Sequence, residues 1–377
     1  MPRARFIAPW KDSTEKPVIY HCISRVVDRR FAFEKDEKEK LRMCMRMYEN
    51  FSGCRVLAYC FMSNHIHLLL EVPPMAVGGL TDTELLQRLR FIYNEAQVAE
   101  VAKRLAEYRK AGVGTGTAGV GTAGAGAAAA AAKELHASFT YRMHDLSEFM
   151  KGFMQRFTQW FNRSHKRSGG LWEDVFKSVL VEDGMASRTM AAYIDLNPVR
   201  AGIAKDPADY RWSSYGEAMG GGPRGDGKKA RAGLVRAIMA HKGYAADARH
   251  WAGNVSKEYR MILLDEGEEK LREVSGADGR LEVNVVRKGM KKEEVEAELA
   301  LLERSRDVAL GKMLRCRVRY FTDGAVLGSR EFVDGVFRAC RSRFSEKRKS
   351  GARKLRGRAS AAAGSLWSAR NLMKEIG

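Results

Sequence analysis

The chain has 377 residues, 66 Lys and Arg against 46 Asp and Glu, a net charge of +20 and 45% hydrophobic content. That is enough apolar content to fill the cores of ordinary domains, and a cationic surplus of this size points to a polyanionic partner, because each neutralised phosphate releases a counterion. No apolar run approaches the ~20 residues that span a bilayer, and the opening MPRARFIAPWKDSTEKP lacks the apolar core of a signal peptide, so no membrane partner is expected and a cytoplasmic, nucleoid-associated location is.

In chain order, VIYHCISRVVDR (18–29) is β-branched and roughly alternating, which predicts a strand. Residues 35–51 carry Leu41, Met45 and Tyr48 at helical spacing. RVLAYCFM and HIHLLLEV, separated by Ser63-Asn64, predict a hairpin, and 82–109 a further helix. The stretch 111–132 holds only Ala, Gly, Val and Thr and predicts a flexible insertion whose Ala run can extend the following helix.

A helix resumes over 145–161, VFKSVLVE (175–182) predicts a strand, and a helix over 185–196 ends at Asn197-Pro198. This order suits an α+β fold, a ferredoxin-like or RNA-recognition-motif-like antiparallel sheet with helices on one face. GGGPRGDGKKARAG (220–233) is the expected linker between a catalytic domain at 1–219 and a basic, mainly helical extension at 234–377. That extension holds helix-like stretches near 234–241 and 291–314, then VRYF, a Thr-Asp-Gly turn and a helix at 329–343. Residues 341–358 carry nine Lys or Arg against one Glu, a candidate phosphate-contacting segment or a basic tail without a specific role. The six cysteines form no Cys-x-x-Cys pair, which fits reduced, partly buried thiols.

Three features carry chemistry. His65 and His67, two apart on a strand, point to one face and can hold a divalent ion, although such a pair taken alone is more often structural. Tyr193 and Asn197 stand at i and i+4 near a helix end. An Asn carbonyl oxygen can ligate a metal. A phenol can attack phosphorus, but with a pKa near 10 it needs a proton acceptor or a nearby cation. Between these elements, Arg156, Arg163, Lys166, Arg167 and Lys177 alternate with Phe157, Trp160, Phe161, Trp172 and Phe176. Cations tracking phosphates and rings stacking bases suit single-stranded nucleic acid. Phe153, Phe157 and Trp160 also read as the core face of a helix.

Taken together, FMSNHIHLLLEV, FTQWFNRSHKRSGGLW, YIDLNPVRAGI and YRWSSY resemble the HUH single-tyrosine transposases of small bacterial insertion sequences, and most closely the branch associated with REP palindromes. The resemblance covers about residues 15–217. It implies the HUH endonuclease fold, a metal held by His65, His67 and Asn197, and Tyr193 as the nucleophile. It further implies Mg²⁺ or Mn²⁺, cleavage of single-stranded DNA beside hairpins through a 5′-phosphotyrosine, and a homodimer. Arg156, Arg163, Lys166, Arg167, Trp172 and Lys177 are the expected DNA contacts. Val175 departs from the pattern, standing where that branch often carries a basic residue. A nucleic-acid-binding protein that keeps the fold without the reaction is the alternative.

Overall fold

The computed structural model describes residues 6–113, 122–220, 227–239, 247–252, 254–267, 270–275, 281–287, 289–303, 324–344, 346, 348–354 and 366–370. Its centre is the run β1 (Val18–Arg25), α1 (Lys35–Ser52), β2 (Arg55–Phe61) and β3 (His65–Val72). Three helices follow, α2 (Asp82–Leu89), α3 (Glu95–Val113) and α4 (Thr122–Thr140), and then α5 (Leu146–Ser164) and β4 (Lys177–Val181). The strand order β2-β3-β1-β4, antiparallel throughout, is that of a ferredoxin-like sheet.

Alternation explains how the sheet is covered. In β3, Ile66, Leu68 and Leu70 join Tyr20 and Cys22 of β1 in a core filled by Leu41 and Met45 of α1 and Phe149, Phe153 and Phe157 of α5. The apolar spacing along α5 thus marks packing, as read from the sequence. On the other face, Ile19, Leu69, Val179 and Val181 pack against α6 (Met185–Asp195), α8 (Ser214–Gly220) and α9 (Lys228–Met239). A short helix α7 (Asn197–Arg200) lies between α6 and α8. Helices therefore cover both faces rather than one. With both faces buried, the strands read as almost continuous apolar runs.

Several boundaries differ from the sequence reading. Residues 82–109 form two helices, broken at Arg90–Asn94. The Ala run lies in α4, where Ala132 packs in one cluster with Val101 and Leu105 of α3, so from Thr122 onward the insertion is helix; 114–121 lie outside the described residues. The expected linker overlaps α9, whose Gly233 is seated on the backbone of Val56 and Leu57, so closely that a Cβ there would stand 2.3 Å from the Val56 oxygen.

Further on come α10 (Asn254–Gly267), a β5–β6 hairpin (Lys270–Ser275, Leu281–Arg287), α11 (Lys292–Glu303), β7 (Gly324–Gly328), α12 (Arg330–Ala339), β8 (Arg353–Lys354) and β9 (Trp367–Arg370). Strand β7 pairs in parallel with β4, and β9 and β8 follow, giving the seven-stranded order β2-β3-β1-β4-β7-β9-β8. The C-terminal part thereby shares the central sheet. VRYF (318–321) lies outside the described residues. Five cysteines, Cys22, Cys44, Cys54, Cys60 and Cys340, are free and buried. Among the described residues, no helix is long and apolar enough to cross a membrane.

Candidate metal and tyrosine site

The register across the sheet sets the site. Arg25 stands opposite His65, and Cys60, His67, Ile23 and Lys177 form one cross-strand row on the α6 side. The rings of His65 and His67 lie 4.9 Å apart at 81°, and the Tyr193 ring meets His67 edge-on at 5.9 Å. The structure thus brings together residues about 126 positions apart in the chain. His67 and Tyr193 are each only 2% exposed, and His65 is partly exposed at the rim.

Burial holds both imidazoles neutral. Desolvation, followed by the nearby charge of Arg25, pushes the His65 pKa down to about 4. Desolvation, then His65, His21 and Arg25, holds His67 well below the usual histidine range. Neutral rings are what metal ligation requires.

The hydrogen bonds also select ring nitrogens. Asn64 Nδ2 donates to the Arg29 carbonyl at 3.1 Å, which turns Asn64 Oδ1 towards His65 Nδ1 at 2.7 Å. An amide oxygen can only accept, so His65 carries its proton on Nδ1 and leaves a lone pair on Nε2. His67 Nδ1 lies 3.0 Å from Nε2 of His21, a β1 residue the sequence reading did not single out.

Helix α6 is buried along nearly its whole length and delivers Tyr193 to the sheet. Pro198 has no N–H to give the Ile194 carbonyl four residues back. Asn197 Nδ2 fills that role, donating to Ile194 O at 3.2 Å and to Tyr193 O at 2.9 Å. That orientation keeps the Asn197 amide oxygen out of the capping bonds. Arg200 places its guanidinium 5.2 Å from the Tyr193 ring centroid, another neighbour missed by spacing alone. Among the described residues, no three His, Cys, Asp or Glu side chains group as a metal site. An ion here would need a donor of another type beside the two imidazoles, and an amide oxygen such as that of Asn197 is the kind of donor Mg²⁺ and Mn²⁺ accept.

Beneath the tyrosine, Asp195 is fully buried. It accepts from Tyr259 Oη at 2.6 Å, Ser214 Oγ at 2.7 Å and the Tyr215 N–H at 2.9 Å. Burial outweighs these bonds and raises its pKa to about 6. The rival tyrosines have other places: Tyr210 donates to the Phe61 carbonyl, Tyr215 is buried, and Tyr141 is exposed at the end of α4.

The six expected DNA contacts divide. Lys177 stands in the His67 row, at the site. Arg156 and Arg163 line a cavity of about 430 Å³ with Lys40 and Trp160, on the outer side of α1 and α5 and across the sheet from the histidines. Lys166 and Arg167 follow α5; Arg167 donates to the Gly170 carbonyl and lies over Phe161. Trp172 donates from Nε1 to Thr158 Oγ1 and leans on Phe33 and Phe157, its ring half-buried at the edge of the core.

Residues 14–78, which contain both histidines, match the family model described as "Transposase IS200 like". Over that segment the chain is similar to these transposases. A solved structure described as "Structure of the REP associates tyrosine transposase bound to a REP hairpin" aligns with 68% of this chain and 92% of that one, at 13% identity and a TM-score of 0.32. Among curated proteins, none matches.

Proposed function

We propose that the chain is a metal-dependent transposase that cleaves and rejoins single-stranded DNA beside hairpins, with Tyr193 as the nucleophile. The observation that carries this reading is the meeting of His65, His67 and Tyr193 on one sheet face, with His65 fixed in the tautomer that offers Nε2. His65 and His67 through Nε2 and Asn197 through its amide oxygen would hold Mg²⁺ or Mn²⁺. Such an ion supplies a Lewis acid that polarises a phosphate oxygen.

The residues of the chain do the rest. Lys177 and Arg25 beside the two histidines attract and orient the phosphate. Tyr193 Oη attacks phosphorus and loses its proton. The bond to O3′ breaks, and that oxygen takes up a proton to leave as a free 3′-hydroxyl. The 5′ side stays on the tyrosine as a phosphodiester. Attack by a 3′-hydroxyl reverses the step and joins strands. Arg156, Arg163, Lys166 and Arg167 are proposed to hold flanking DNA, and the active unit is proposed to be a homodimer in the cytoplasm.

The 2% exposure of Tyr193 favours a second reading, a DNA-binding protein without the reaction. The two are separated by cleavage of a labelled single-stranded hairpin in Mn²⁺. His65→Ala and His67→Ala should each abolish cutting while DNA affinity stays within about twofold, since most phosphate contacts lie elsewhere. Undiminished cutting by the double variant in EDTA would refute the metal assignment.

A further inference from the structure

We propose that His21 is a positioning residue that accepts a hydrogen bond from His67 and thereby fixes which nitrogen of His67 faces the metal; this rests on the metal reading above. The two rings are close to coplanar and meet edge to edge, with centroids 5.2 Å apart and planes 15° from parallel, and His21 Nε2 stands 3.0 Å from His67 Nδ1. Both are buried, at 0% and 2% exposure. His21 also meets the edge of Tyr193 at 6.0 Å, so one β1 side chain touches both the ligand ring and the tyrosine.

At 3.0 Å the two facing ring nitrogens share one proton, and it has two places. If His21 Nε2 carries it, His67 Nδ1 accepts, and His67 must hold its own proton on Nε2, where no cation can then bind. If His67 Nδ1 carries it, Nε2 keeps a lone pair. His65 is already locked in the second form by Asn64 Oδ1. His21 gives His67 the same form from the other side, so the pair presents two Nε2 lone pairs before any ion arrives. An acceptor behind a ligating imidazole also raises the ring's basicity and holds its plane.

The register explains why this residue can do it. Ile23 faces His67, and His21 lies two residues further along β1 on the same face, opposite Leu69. That diagonal is within reach of a ring.

The test uses the full chain without DNA and titrates Mn²⁺ by calorimetry. His21→Phe keeps a ring and removes the acceptor, and should weaken Mn²⁺ binding by about 10–100-fold. His21→Gln, whose amide oxygen can accept, should recover most of the affinity. A folded His21→Phe variant with wild-type affinity would overturn the proposal. Imidazole ¹⁵N–¹H spectra of the metal-free wild type give a readout that survives if His21→Phe does not fold. The His67 proton is expected on Nδ1, and finding it on Nε2 would equally overturn the proposal. The metal reading is checked apart: if His65→Ala binds Mn²⁺ like the wild type, that reading fails, whereas a loss with His65→Ala but not with His21→Phe removes only His21.

Discussion

Arg200 stands over the Tyr193 ring, and its Nη1 lies 3.5 Å from the Tyr193 carbonyl, so a fixed cation accompanies the proposed nucleophile. A phenol that loses its proton during attack develops negative charge, and a nearby guanidinium stabilises it at no cost in reorganisation. Arg200→Ala should therefore slow cleavage by about tenfold, on the order of 1 kcal/mol, while Mn²⁺ affinity is unchanged. Single-turnover rates alongside calorimetry check this, and an unaltered rate would remove Arg200 from the chemistry. Of the site, His65, His67 and Tyr193 were legible because each lies in a local pattern: two residues apart on a strand, or one turn from Asn197. His21 and Arg200 were not. His21 is 46 residues from its partner within a strand whose alternation looks like core, and the role of Arg200 depends on how α7 turns after Pro198. Trp172 carries a second set of contacts that spacing does not show: its N–H donates to Thr158 and its ring leans on Phe157 while remaining partly exposed.

Helix α6 is held from below by the carboxyl of Asp195, which joins it to α8 through Ser214 and Tyr215 and to α10 through Tyr259. A carboxyl whose folded pKa is raised to about 6, above its unfolded value, stabilises the fold most when protonated. Its contribution is complete below about pH 4, is lost as pH rises through 6, and is flat above. The expected loss is about 3 kcal/mol across that window. Asp195→Asn keeps an acceptor and removes the titration, so urea midpoints of the two proteins should diverge between pH 4 and 6 and run parallel at higher pH. Parallel curves throughout would show that Asp195 does not titrate with folding. At this scale the hairpin, α1 and α5 were legible from their periodicity, and the capping Asp145 confirms the start of α5. The break at Arg90–Asn94 was not, since no Gly or Pro marks it. Strand β7, GAVLG, is too short and Gly-rich to be read apart from a turn, and it exists because β4 offers it an edge.

Across the whole molecule, the C-terminal part is built into the sheet that carries the site. Leu234, Val235 and Ile238 of α9 cover the face holding Leu57, Leu69 and Val181. Arg236 pairs with the buried Glu71 of β3, and β7 extends the sheet beyond β4. Truncation at residue 220 would strip these partners, expose that apolar face and leave Glu71 with Arg55 alone. The truncated chain should aggregate, or melt well below the full chain, when size-exclusion and thermal unfolding are compared. A soluble, equally stable 1–220 fragment would show that α9 is dispensable. Within the basic segment 341–358, of which 345, 347 and 355–358 lie outside the described residues, Arg341 and Arg348 are less free than the composition suggests. Arg341 bonds to the carbonyls of Phe344 and Glu346, and Arg348 to those of Ser350 and Gly351. Charge alone could not show this, because the same cations serve a phosphate or a loop.

The central claim, that Tyr193 is the nucleophile, is tested most directly by trapping the covalent adduct. The full chain is incubated with a single-stranded hairpin oligonucleotide in Mn²⁺, digested with protease and analysed by mass spectrometry. The phosphonucleotide should map to Tyr193, and Tyr193→Phe should bind the same oligonucleotide normally yet give neither adduct nor 3′-hydroxyl product. An adduct on Tyr141, Tyr210, Tyr215 or any other tyrosine, or one that persists in Tyr193→Phe, would contradict the account.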